Sequence, residues 1–127
     1  MNVWQRVIWL SAAGALGTLA RYGLSGLVQR VTGSLFPWGT LAVNGIGCFL
    51  FGLVWVLAAE RMAVSGEARL VILTGFMGAF TTFSTFSAET GQMLLRAQWA
   101  AGMANILGSL ILGFLCFFLG LFLGRLV

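Results

Sequence analysis

Five hydroxyl side chains, Thr81, Thr82, Ser84, Thr85 and Ser87, follow one another inside the apolar stretch Thr74–Glu89, and the phenyl rings of Phe83 and Phe86 sit between them. Hydroxyls donate as well as accept, so in an apolar segment they can line a polar path, while the two rings on their own read as lipid-facing or packing side chains. The two rings lie three residues apart, and positions i and i+3 share one helical face. Gly75 and Gly78 weaken the helix just before the hydroxyls begin. In an unbroken helix such hydroxyls would bond back to their own carbonyls. Their clustering behind two glycines argues instead for a third helix broken mid-membrane, because irregular backbone survives at that depth only where protein or a water-filled path covers it.

The elements that must position this stretch are membrane helices. The chain has 127 residues, 60% hydrophobic and 8% charged, against about 25% charged in a soluble domain. It reads as a single four-helix transmembrane domain over residues 1–127. The ionisable residues are seven Arg and three Glu, with no His, Lys or Asp. Metal clusters and His-based acid–base catalysis therefore have no raw material, and no enzyme is expected. The net charge of +4 comes from arginines dispersed singly among apolar runs. Such arginines form no phosphate-binding patch, so nucleic acid is not an expected partner. Cys48 and Cys116 each lie within an apolar run and read as small hydrophobes.

About 20 apolar residues cross a bilayer, and four runs of that kind can be cut: Val7–Leu27, Thr40–Ala59, Leu70–Met93 and Ala100–Leu123. The first is too long for a typical signal-peptide core, and Arg21 lies beyond any small-residue cleavage site. Each run carries a stripe of small or polar residues. Ala13, Gly17 and Arg21 repeat at i+4 in the first; Thr40, Asn44 and Cys48 do so in the second; Ala101, Asn105, Ser109 and Gly113 in the fourth. Small residues let helices approach closely. Arg21 has two readings: it snorkels to the headgroups, or it is held inside, lining an anion's approach or binding carbonyls of the third helix. Asn44 likewise is either glue between helices or an N–H donor to a passing anion. Pro37, the only proline, suits the start of the second helix.

Four helices enclose little space, so an aqueous path is more easily built between subunits, and an oligomer is expected. With both termini on one side, that side holds Arg6, Arg61, Arg69 and Arg125, and the other holds Arg30, Arg96 and Arg21. Orientation follows an excess of Lys and Arg on the cytoplasmic side. Four against three is almost no bias, so the chain is expected to insert both ways up and to pair antiparallel.

Ala13–Tyr22, Phe36–Gly52, Gly75–Glu89 and Gly108–Ser109 resemble the Fluc (CrcB) family of bacterial fluoride channels, across all four spans, with Thr-Thr-Phe-Ser-Thr-Phe-Ser as the most specific motif. The resemblance implies an all-α, dual-topology antiparallel homodimer in the bacterial inner membrane, with two fluoride pathways and a structural sodium ion on the two-fold axis. It implies main-chain carbonyls of Gly78 and Thr81 as sodium ligands. It places Phe83, Phe86 and Asn44 in the pore and Ser84, Thr85 and Ser109 on a polar track. Asn105 stands where the family pattern has a tyrosine, and Gly113 where some members have a serine. The competing class is a small multidrug-resistance-type four-helix exporter, also a dual-topology dimer. Proton-coupled export needs an intramembrane carboxylate, and Glu89 is the one candidate. An accessory membrane protein that transports nothing would explain the glycine stripes and leave the hydroxyl cluster without a role.

Overall fold

The computed structural model describes all residues, Met1–Val127, and is helical throughout, with no strand. Helix α1 runs Val3–Thr32. Helix α2, Trp38–Trp55, continues into a π-helical turn, Val56–Glu60. The third span comprises α3 (Gly66–Leu70), a π-helical segment (Val71–Met77), α4 (Gly78–Phe80) and α5 (Phe83–Leu95), and α6 covers Trp99–Leu126. Four segments are thus long and apolar enough to cross a membrane: Val3–Thr32, Trp38–Glu60, Gly66–Leu95 and Trp99–Leu126.

All four extend past the apolar runs at both ends, because capping groups and turns rather than hydropathy set where the helices stop. The Asn2 side chain accepts from the Gln5 N–H, and the Gln5 side chain accepts from the Asn2 N–H, which closes a capping box ahead of α1. Gly33 ends that helix in the left-handed region, φ 58°, where a Cβ would be strained. Pro37 occupies the N-cap of α2. Gln29 pins the loop between the two helices. Its amide nitrogen donates to the carbonyls of Ser34 and Phe36, and its oxygen accepts from the Gly39 N–H. Ser65 caps α3 by accepting from the Ala68 N–H.

The small-residue stripes lie in the seams. A Cβ on Gly17 would run into the Phe76 carbonyl of the third span. One on Gly52 would strike the Phe117 carbonyl, and one on Gly120 the Phe49 carbonyl. The α1–third-span and α2–α6 pairs therefore pack backbone against backbone. That contact supplies dispersion and shields main-chain dipoles where lipid offers no hydrophobic drive between helices. Large apolar side chains such as Leu16, Leu19, Phe114 and Phe118 face outward. The buried set is small, with Val43, Val56 and Asn105 the largest fully buried side chains. This is an inside-out pattern for a soluble fold and the ordinary one for a chain surrounded by lipid.

Candidate functional site

The backbone changes course between α4 and α5. Thr81 (φ −84°, ψ 157°) and Thr82 (φ −148°, ψ 118°) are both extended, so the regular i to i−4 bonding stops there. In an uninterrupted helix the Thr82 N–H would reach the Gly78 carbonyl and the Thr85 N–H the Thr81 carbonyl. The Thr82 N–H goes instead to Asn44 Oδ1 at 2.8 Å, and Asn44 Nδ2 donates back to the Thr82 carbonyl at 3.0 Å. The Thr85 N–H goes to Thr82 Oγ1 at 3.2 Å, which makes Thr82 the N-cap of α5. One amide on α2 thus stands in for a missing turn of backbone, and the Gly78 and Thr81 carbonyls lose their regular helical partners.

Asn44, Thr81, Phe83, Phe86, Ser109 and Gly113 line a cavity of about 330 Å³ where α2, α5 and α6 diverge. The two phenyl rings have centroids 5.8 Å apart, tilted by 44°. Phe86 is half-buried, whereas Phe83 is 80% exposed, so one chain encloses only one side of this space. Asn44 Nδ2 keeps a second N–H beyond the one given to Thr82, and the Ser109 hydroxyl lies on the opposite wall. The site therefore offers one free amide N–H and two electropositive ring edges and has no formal charge, the Ser109 hydroxyl hydrogen being given to Asn105 Oδ1. These are the features expected of a place where a small anion sheds water without being trapped.

The structure brings Asn44, Thr81, Phe83, Phe86 and Ser109 together and leaves Ser84, Thr85, Arg21 and Gly78 outside this cavity. Thr85 takes a hydrogen bond from Thr82 Oγ1 at 3.0 Å, and the Ser84 hydroxyl lies 3.4 Å from that same oxygen, so both belong to the cap of α5. Arg21 is half-buried on α1 and does not line the cavity. Gly78 is exposed on the single chain. Glu89, the exporter candidate, accepts from the Thr40 hydroxyl at 2.9 Å, and its other oxygen is buried without a partner.

Two contributors escape a reading by residue type. Thr82, one hydroxyl among five, carries the cap and both bonds to Asn44; the Thr-x-x-Thr spacing ahead of Phe86 was the signal available. Thr90 donates to the Phe86 carbonyl at 2.7 Å and accepts from Asn105 Nδ2 at 2.9 Å. The Ser109 hydroxyl in turn donates to Asn105 Oδ1 at 3.4 Å. Asn105, 1% exposed, thereby links both walls of the cavity through side chains from α5 and α6.

Residues 8–121 match the family described as CrcB-like protein, Camphor Resistance (CrcB). The chain is similar to a protein named Fluoride-specific ion channel FluC from Nitrosococcus oceani, 52% identical over 125 residues that cover 98% of this chain and 100% of the relative. Proteins of the same name from Solidesulfovibrio magneticus and Desulforapulum autotrophicum are 58% and 51% identical. Those two alignments cover 97% and 96% of this chain, and 98% of each relative.

Proposed function

Since the chain belongs to the CrcB-like family, we propose that it is a fluoride-specific ion channel that lets fluoride leave the bacterial cytoplasm passively across the inner membrane. The observation that carries this reading is the uncharged cavity in which Asn44, Phe83, Phe86 and Ser109 converge. The free amide N–H and the ring edges replace part of the hydration shell, and the absence of a bound positive charge at this point keeps the anion from resting too long. No coupling is needed for direction. An inside-negative potential is worth about 2.3 kcal/mol per charge per 100 mV, roughly a 50-fold outward bias for a monovalent anion.

A second copy completes the path in this reading. Phe83, at 80% exposure, is a pore residue that the chain itself leaves uncovered. An antiparallel homodimer would enclose two such paths, with the extended Thr81–Thr82 pair as the mid-membrane break of the third helix. The Gly78 and Thr81 carbonyls suit a sodium ion there, because they are hard oxygen donors that lack their regular helical partners. When bound, sodium supplies positive field near the subunit axis. Asn44 fixes the Thr82 backbone next to the Thr81 carbonyl.

The test is efflux from liposomes containing the purified protein, read with a fluoride electrode and compared with a chloride electrode. Fluoride release without chloride release, unaffected by a pH gradient, is the expected outcome. Release driven by protons, or none, rejects the channel.

A further inference from the structure

One face of α2 borders three cavities along its length. Thr40 lines a polar cavity of about 220 Å³ near Pro37, Asn44 and Cys48 line the central one, and Trp55 lines a third of about 470 Å³ at the far end. Thr40, Asn44, Cys48, Phe51 and Trp55 are spaced by three or four residues, so they share one helical face, and 15 residues of α-helix cover about 22 Å. Phe51 borders both the central and the far cavity. The far cavity is also walled by Arg6, Glu67, Arg69 and Thr74.

Arg61 and Arg69 are the two arginines at that end that form no ion pair, and Arg61 gives its guanidinium to the Arg125 carbonyl. Arg125 forms a two-pronged pair with Glu60, at 2.9 and 2.7 Å. Glu67 takes the Met1 amine and lies 3.6 Å from Arg6. None of the three ion pairs includes Arg69, whose guanidinium carbon lies 5.8 Å from the centroid of the Trp55 ring. A half-buried arginine that stacks on tryptophan keeps its donor edge free, because the stacking uses only its face.

We propose that this cavity is the mouth of the anion path at the end that carries the termini, and that Arg69, held by Trp55, is the cation that gathers fluoride there. The inference rests on the channel reading above. The central cavity has no formal charge, so a positive site is best placed where the anion is still hydrated, raising local concentration without deepening the well at the narrow point. Glu67 does not cancel this field, since the Met1 amine and Arg6 already face it. Nothing comparable to a lipid-phosphate clamp is needed, although a headgroup phosphate would compete for the same guanidinium.

The experiment is fluoride efflux from liposomes of neutral lipid at about 0.01 M and about 1 M ionic strength, where screening lengths are about 30 and 3 Å. Arg69→Gln is expected to slow efflux by about tenfold at low ionic strength and to approach the parent at high ionic strength, with Arg69→Lys close to the parent at both. Thr74→Glu, which adds a carboxylate to the same wall and leaves Arg69 in place, should slow efflux in the same salt-dependent way; it decides the matter if Arg69→Gln does not fold. Equal rates for Arg69→Gln and parent at low ionic strength overturn the proposal. So does a loss that is independent of salt and shared by Arg69→Lys, which marks a structural arginine. A parent protein that releases no fluoride rejects the channel reading itself, and the mouth with it.

Discussion

Asn44 illustrates how a polar side chain in a membrane protein can answer two demands at once. Its oxygen and one N–H complete the backbone of Thr82, its second N–H has no hydrogen-bond partner in the chain, and the residue lines the cavity. Asn44→Asp keeps the acceptor for the Thr82 N–H and sets a carboxylate against the Thr82 carbonyl. The expected result is a destabilisation of about 1–3 kcal/mol from the unpartnered carbonyl, read as thermal unfolding in detergent, together with loss of fluoride efflux. Full efflux from Asn44→Asp would refute the donor half of its role, and unchanged thermal unfolding the backbone half. Phe83 and Phe86 separate packing from ion contact more cleanly. Replacement by Ile keeps the apolarity and costs under about 1.5 kcal/mol of repacking. Gel filtration of Phe83→Ile and Phe86→Ile should therefore look normal while efflux falls by orders of magnitude; unchanged efflux from both would reduce the rings to filler.

Between helices, glycine sets the spacing. Gly52 and Gly120 bring α2 and α6 so close that a Cβ on either would meet backbone, which has no rotamer to yield. Gly120→Val is expected to force the seam apart and to lower stability by about 1–3 kcal/mol. Gly26→Ala, where a Cβ would meet open space within the chain, should leave stability unchanged or slightly raised. Thermal unfolding of the two variants side by side measures the contrast, and equal behaviour would show that the seam is not close-packed. The extended Thr81–Thr82 pair depends on neighbours in the same way: without α2 to supply Asn44, two extended threonines in an apolar environment would leave main-chain groups unsatisfied.

The proposed assembly rests on what one chain leaves uncovered. Phe83 and Gly78 are exposed, and the arginines divide four against three between the two ends. Reporter fusions at the C-terminus should therefore register on both sides of the membrane, and one added arginine in the Gly33–Phe36 loop should tip the balance. A single fixed orientation that ignores the added charge would exclude dual topology. Sodium is testable at the same level. Replacing it during purification with a large organic cation should abolish efflux if the Gly78 and Thr81 carbonyls hold an ion between subunits; indifference to the exchange, with no anomalous scatterer at those carbonyls, would leave them to water.

Hydropathy alone was enough to count four spans, because crossing a bilayer demands a length of apolar residues that nothing else in so short a chain resembles. The absence of His, Lys and Asp likewise ruled out whole classes of chemistry without coordinates. The special character of Thr81–Ser87 was also legible, since clustered hydroxyls behind two glycines conflict with a lipid-facing helix. What no linear pattern contained was the partner of each polar group. That Asn44 would bond the Thr82 backbone, that Thr90 and Asn105 would tie Phe86 to Ser109, and that Ser84 and Thr85 would join a cap instead of the cavity all depend on contacts between helices 15 to 38 residues apart in the chain, or on the turn geometry those contacts impose. Helical periodicity reports which residues share a face of one helix, whereas the rotation and depth at which that face meets another are set by where glycine allows the backbones to touch.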